Sequence, residues 1–351
     1  MFYHKIICLF LFITTLIIFT SCSNSEDDNE ITGQTSWNLS EDNKILTIDG
    51  IGNMDSYTNN MPWQLQRNKI TTVIIKEGIT SIGQQAFEYL TVLKDVTIPT
   101  SVKKINNGAF FGCSSLEEIT IPSSVTYIGD GVFRECTLLN NIEIPSSVTY
   151  LGPCAFFNDT SLSNITLSSN IKSLELGLFS YCTTLKKISI PTSVTNIDSA
   201  FQYCTSLESI VIPSSVTELN GTFSGCSALS SVELPSSITY IGNEIFTDCV
   251  SLKEINIPES VTSIDANAFS GCINLESINL STNVTAIHSR AFKDCTGISS
   301  IIIHSSVISM DGSVFEGWRE DQTINIELPI APLAWSSNWN RECNAKIVWS
   351  E

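Results

Sequence analysis

The chain has 351 residues, with 18 basic and 36 acidic side chains, a formal charge of −18 and only 15% charged residues. Without clustered Lys and Arg, such a surface excludes nucleic acid and anionic lipid as general partners; 42% hydrophobic residues exclude a chain too polar to fold. Twelve cysteines are too few for a disulfide scaffold at this length, so their positions must say what they do.

Lys5 precedes an apolar run of fifteen residues, 6–20. That run is short for a membrane-spanning helix of about 20 residues and suits the core of a signal peptide. It ends at Phe19-Thr20-Ser21-Cys22, which resembles a lipobox with Phe19 where leucine is usual. Residues 1–21 are therefore read as a lipoprotein signal peptide and Cys22 as the acylated residue, the one expected contact with a membrane. Residues 22–34 hold the acidic run Glu26-Asp27-Asp28-Asn29-Glu30, a solvated tether. It resembles the stretch after the lipidated cysteine in surface-exported lipoproteins of some Gram-negative bacteria, which implies an outer-membrane protein facing the exterior.

Residues 35–67, with Trp37, Gly50, Gly52, Met54, Tyr57 and Trp63, follow no repeat and are read as an N-terminal cap. From residue 68 to 318 a repeat takes over. Phenylalanine recurs at 87, 110, 133, 156, 179, 201, 223, 246, 269, 292 and 315, at spacings of 23 residues four times, 22 twice and 23 four times. In the unit from Leu116 to Cys136, Ile119 and Ile121 alternate about Thr120, the period of a half-buried strand. Pro122 ends that strand, and Val125 to Ile128 is a second one closed by Gly129. The rest of the unit has room for a turn but not for a helix of ordinary length. A unit this small cannot bury its own apolar positions; stacking can, at about 4.8 Å per coil and about 48 Å over ten steps. Residues 319–351, with Trp335, Trp339, Ile347 and Trp349, read as a C-terminal cap.

The unit L-x-x-I-x-I-P-x-S-V-T-x-I-G-x-x-A-F-x-x-C resembles the leucine-rich repeat of the BspA-like surface proteins of host-associated microbes. The resemblance covers roughly residues 35 to 349 and implies a leucine-rich-repeat solenoid, mostly β, of about eleven coils. Ser168, Ser281 and His304 replace the proline, and Asp159 and Trp318 the cysteine. Adhesion to host or microbial proteins is what the family resemblance implies for function.

Cys113, Cys136, Cys182, Cys204, Cys226, Cys249, Cys272 and Cys295 each stand three residues past the repeat Phe. Stacking places them in a column. Parallel, identically oriented side chains cannot all reach the dihedral of a disulfide, so a ladder of packed free thiols is expected. Cys154 and Cys343 stand off the column and have no assigned role. His288 and His304 have no carboxylate or cysteine partner at metal-like spacing and are read as corner residues.

No phosphate loop, H-E-x-x-H or G-x-S-x-G motif occurs. A non-catalytic monomer without cofactor or metal is expected. The outward residues between the strand isoleucines, from Thr97 to Ile302, are mostly small and polar. Tyrosine is favoured at recognition surfaces, which makes the adjacent-coil pairs Tyr127–Tyr150 and Tyr181–Tyr203 the weak candidate binding residues. The expected partner is a macromolecule, a host or microbial surface protein. A glycan stacked on the tyrosines, within a nutrient-uptake system, and a purely structural envelope role are the alternatives.

Overall fold

The computed structural model describes residues 34–58 and 60–351, all within one compact unit, Thr32–Glu351. The chain winds as a β-solenoid of about 13 turns. Most coils carry two short strands and one stretch of consecutive turns; the expected strand over Ile119–Ile121 is reduced to a single bridge from Glu118 to Asn141, and residues 187–190 form no strand.

The first strand follows from the alternating isoleucines. Asn141–Glu143 pairs in parallel with Asn164–Thr166; Ile142 and Ile165 point inward while Glu143 and Thr166 are exposed. Proline closes this strand because it has no N–H to give. Its carbonyl then takes the N–H three residues on, Val125 to Pro122 at 3.0 Å and Val148 to Pro145 at 2.9 Å. That bond shortens the second strand. The sequence expects it from Val125, but it starts at Tyr127 and is two residues long, because the Val125 N–H already serves the turn. Lys104–Ile105, Tyr127–Ile128 and Tyr150–Leu151 form one parallel ladder.

The turn stretch satisfies its backbone without any helix. Alternate N–H groups reach the next coil: Gln85 to Asn107, Phe87 to Ala109 and Tyr89 to Phe111, at 2.9, 2.9 and 2.7 Å. Those between them close three-residue turns, Ala86 to Gly83 and Glu88 to Gln85. The alternation requires left-handed backbone two residues before and two residues after the repeat Phe, such as Gln85 and Tyr89, both at φ 53°. Glycine adopts this conformation at Gly131 and Gly225 without steric cost. Elsewhere Tyr, Glu and Cys hold it under strain.

Between the strands and turns runs the core. The repeat phenylalanines are fully buried and stack from Phe87 to Phe315; Phe110 and Phe133 lie 5.8 Å apart at 4°, and Phe156 and Phe179 5.6 Å apart at 5°. Offset stacking of this kind adds about 0.5–1.5 kcal/mol per pair beyond the apolar area it removes from water.

Both ends extend further than the phenylalanines indicate. Trp63 continues the column, 5.9 Å from Phe87 at 23°. β2 (Ile45–Asn53) pairs in parallel with both β3 (Thr72–Ile75) and β4 (Ile79–Ile82), so this segment is itself a turn of the solenoid. β1 (Gln34–Leu39) pairs antiparallel with β2 and covers the end. At the other end Lys346–Trp349 pairs in parallel with Thr323–Ile326. Trp339 meets Phe315 edge-on, at 6.0 Å and 85°, and stops the stack. Eleven coils were expected; tryptophan in the phenylalanine column adds one at each end.

Candidate functional site

Cys22, the signal peptide 1–21 and the tether up to residue 33 lie outside the described residues. The other candidate residues occupy three different parts of the coil.

The eight column cysteines are buried free thiols. Each Sγ donates to the carbonyl of the preceding coil's Phe at 3.0–3.3 Å, Cys113 to Phe87 and Cys226 to Phe201 among them. Burial pushes the Cys226 thiol up to about 12, which keeps it protonated and able to donate. Trp318 takes the last place in the column and does the same with its indole, Nε1 to Phe292 O at 2.8 Å. Asp159 interrupts it. One carboxyl oxygen accepts the Cys136 N–H at 2.8 Å and the other has no partner, in a site with 0% exposure. Burial holds this carboxyl well above the usual carboxylate range. Cys154 sits in the left-handed column before Phe156, flanked by Gly131 and Gly177 one coil away, and Cys343 packs against the C-terminal core.

His288 and His304 each face carboxylates from neighbouring coils. His288 Nδ1 lies 2.9 Å from Asp311 and Nε2 3.9 Å from Asp265, while His304 Nδ1 lies 3.0 Å from Glu327. Each partner is one coil away, a distance invisible to motif spacing. No group of three or more His, Cys, Asp and Glu suited to a metal occurs among the described residues.

The tyrosine pairs lie on two different edges. Tyr127 and Tyr150 stack at 4.9 Å and 7°, with the Tyr150 hydroxyl donating to Asp130 at 3.4 Å. Tyr181 and Tyr203 stack at 4.8 Å and 13°. Stacking along the axis turns each ring's face to its neighbour and leaves edge and hydroxyl to the outside. The far face of Tyr203 is covered as well, since a Cβ built on Gly225 would lie 2.5 Å from its ring. The second pair ends a longer ridge. Tyr181 packs on Phe157; Arg134 lies over Phe157 and Phe111 at 4.7 and 5.4 Å; Phe111 packs on Tyr89. Sequence reading missed the ridge because some members stand one residue past the repeat Phe and others two.

The outward face of the first strands carries the open grooves. One of about 830 Å³ lies across residues 164–213, with Val211 62% exposed beside Ile188, Pro191 and Pro213. A second, of about 1050 Å³, spans residues 231–279 and is rimmed by Glu233, Glu254 and Glu259. Val211 and Glu233 are register partners, so the two grooves adjoin. A smaller one of about 410 Å³ lies by Glu118, Thr120 and Glu143. A long, shallow face of this kind suits an extended macromolecular ligand better than a small molecule, which is usually enclosed.

A family model described as a BspA type leucine-rich repeat region, in six copies, matches residues 64–158, 103–222 and 220–334. Among solved structures, a leucine-rich repeat protein from Eubacterium ventriosum is 25% identical over 82% of this chain and 95% of its own, with a TM-score of 0.53. A leucine rich cell surface protein from Faecalibacterium prausnitzii is 25% identical over 94% of this chain and 96% of its own, with a TM-score of 0.51. The pneumococcal vaccine antigen PcpA shares the fold at 16% identity, covering 90% of this chain and 99% of its own, with a TM-score of 0.55. No curated protein matches the chain.

Proposed function

The chain belongs to the BspA-type leucine-rich repeat family, and from that premise we propose that it is a surface-anchored, non-catalytic binding protein. The solenoid presents its outward strand face to a macromolecular partner on a host or microbial surface, and Cys22 carries the acyl chains that hold it to the outer membrane. The observation that carries this reading is the pair of adjoining open grooves, which together cross coils from residue 164 to residue 279. Surface display draws support from the cell surface protein of Faecalibacterium prausnitzii, whose similarity covers nearly the whole chain. Glycan stacking on the tyrosines is the weaker reading, because each stacked ring turns one of its faces to its partner.

The anchor is tested by replacing Cys22. In Cys22→Ser the acyl acceptor is gone, and single or paired acyl chains are what hold such a protein to lipid. The variant should leave the membrane fraction and accumulate in soluble extracts, as read by fractionation and immunoblotting. Retention in the membrane fraction would overturn the lipid anchor.

A further inference from the structure

We infer that the adjoining grooves receive an extended segment of a protein partner in a fixed direction, with an apolar side chain on Val211 and basic side chains along Glu233, Glu254 and Glu259. This rests on the binding reading above and names the partner's chemistry.

Val211 stands in an outward column otherwise built mostly of Thr, Ser, Glu and Asn, yet it is 62% exposed. Its neighbours Pro191 and Pro213 widen it into an apolar patch that water wets at a cost. Glu233, in register beside Val211, begins the acidic stretch, and no ion pair neutralises Glu233, Glu254 or Glu259 among the described residues. At the opposite end of the patch stands Lys187. Along the axis the face therefore reads positive, apolar, negative. A complementary segment reads acidic, apolar, basic, and binding it backwards sets like charges against each other. Alternate side chains of an extended segment lie about 6.7 Å apart, so four of them span about 20 Å against about 14 Å across four coils, a difference of about 6 Å that long, flexible lysine side chains can bridge.

The test uses two nonapeptides of one composition, with serine spacers. One carries aspartate, leucine, lysine and lysine at alternate positions; in the other the aspartate and the first lysine change places. Binding to the full chain is followed by isothermal titration at about 0.15 M salt. The matched peptide should bind at least about tenfold more tightly than the exchanged one, and Glu233→Lys with Glu254→Lys should abolish that preference. Glu41→Lys with Glu320→Lys, two exposed acids far from every groove on this face, should leave it intact, and thermal melts establish that each variant is folded. Equal binding of the two peptides, no binding of the matched peptide, or an equal loss in the Glu41/Glu320 variant would overturn the inference. None of these results bears on membrane retention of the Cys22 variant, so failure here and failure of the surface-anchored reading remain distinct.

Discussion

Replacing Phe201 by alanine should destabilise the solenoid by about 3–5 kcal/mol. The side chain has 0% exposure and lies between Phe179 at 5.4 Å and Phe223 at 5.8 Å, with rings nearly parallel to both. Truncation removes the transfer energy of the ring, two stacking contacts and the filling of a space that neighbouring coils cannot close. The carbonyl of Phe201 also accepts the Cys226 thiol at 3.0 Å, so backbone movement into the cavity strains the thiol column too. Because each coil contacts only its neighbours, the loss falls at the two interfaces of that coil and should reduce cooperativity as well as the midpoint. Chemical denaturation followed by circular dichroism reads both. An unchanged midpoint would mean that the phenylalanine column is not the core at that coil.

The second large effect runs the other way. Asp159→Cys should stabilise the protein by about 1–3 kcal/mol at neutral pH. Asp159 is buried with one oxygen unpartnered, whereas cysteine at that place in other coils donates to the preceding Phe carbonyl. The Cys136 N–H does not lose its only acceptor, since it also bonds the Phe133 carbonyl at 2.9 Å. The pH dependence follows from the direction of the carboxyl's shift. Burial raises its proton affinity in the folded chain above that of the unfolded one, so the folded state binds more protons. Stability from this group is then fully present below the unfolded value of about 3.9 and is lost as pH rises toward the folded value. Wild type and Asp159→Cys should therefore differ least near pH 4 and increasingly above it. Melting curves across that range check the slope; a constant difference would show that Asp159 does not titrate with folding.

The coil repeat was legible because one large residue, phenylalanine, marks every turn at a nearly constant spacing. The end turns were not, since Trp63 and Trp339 both change the residue type and stand 24 residues from the nearest repeat Phe. Asp159 reads in sequence as an ordinary departure from the cysteine pattern; only the burial of its carboxyl makes it a liability. The partners of His288 and His304 lie one coil away, where stacking and not chain proximity brings them. The tyrosine pairs were visible as adjacent-coil repeats, but that their faces are mutually covered depends on ring orientation. The groove face carries no motif. Val211 and Glu233 differ from their column neighbours only in chemistry, and their adjacency comes from parallel register.

The measurement that bears most directly on a surface-displayed binding solenoid is antibody labelling of intact cells against cells with a permeabilised outer membrane. Antibody to residues 34–351 should label intact cells as strongly as permeabilised ones. Labelling that appears only after permeabilisation would place the solenoid inside the envelope and contradict a role in contact with other surfaces.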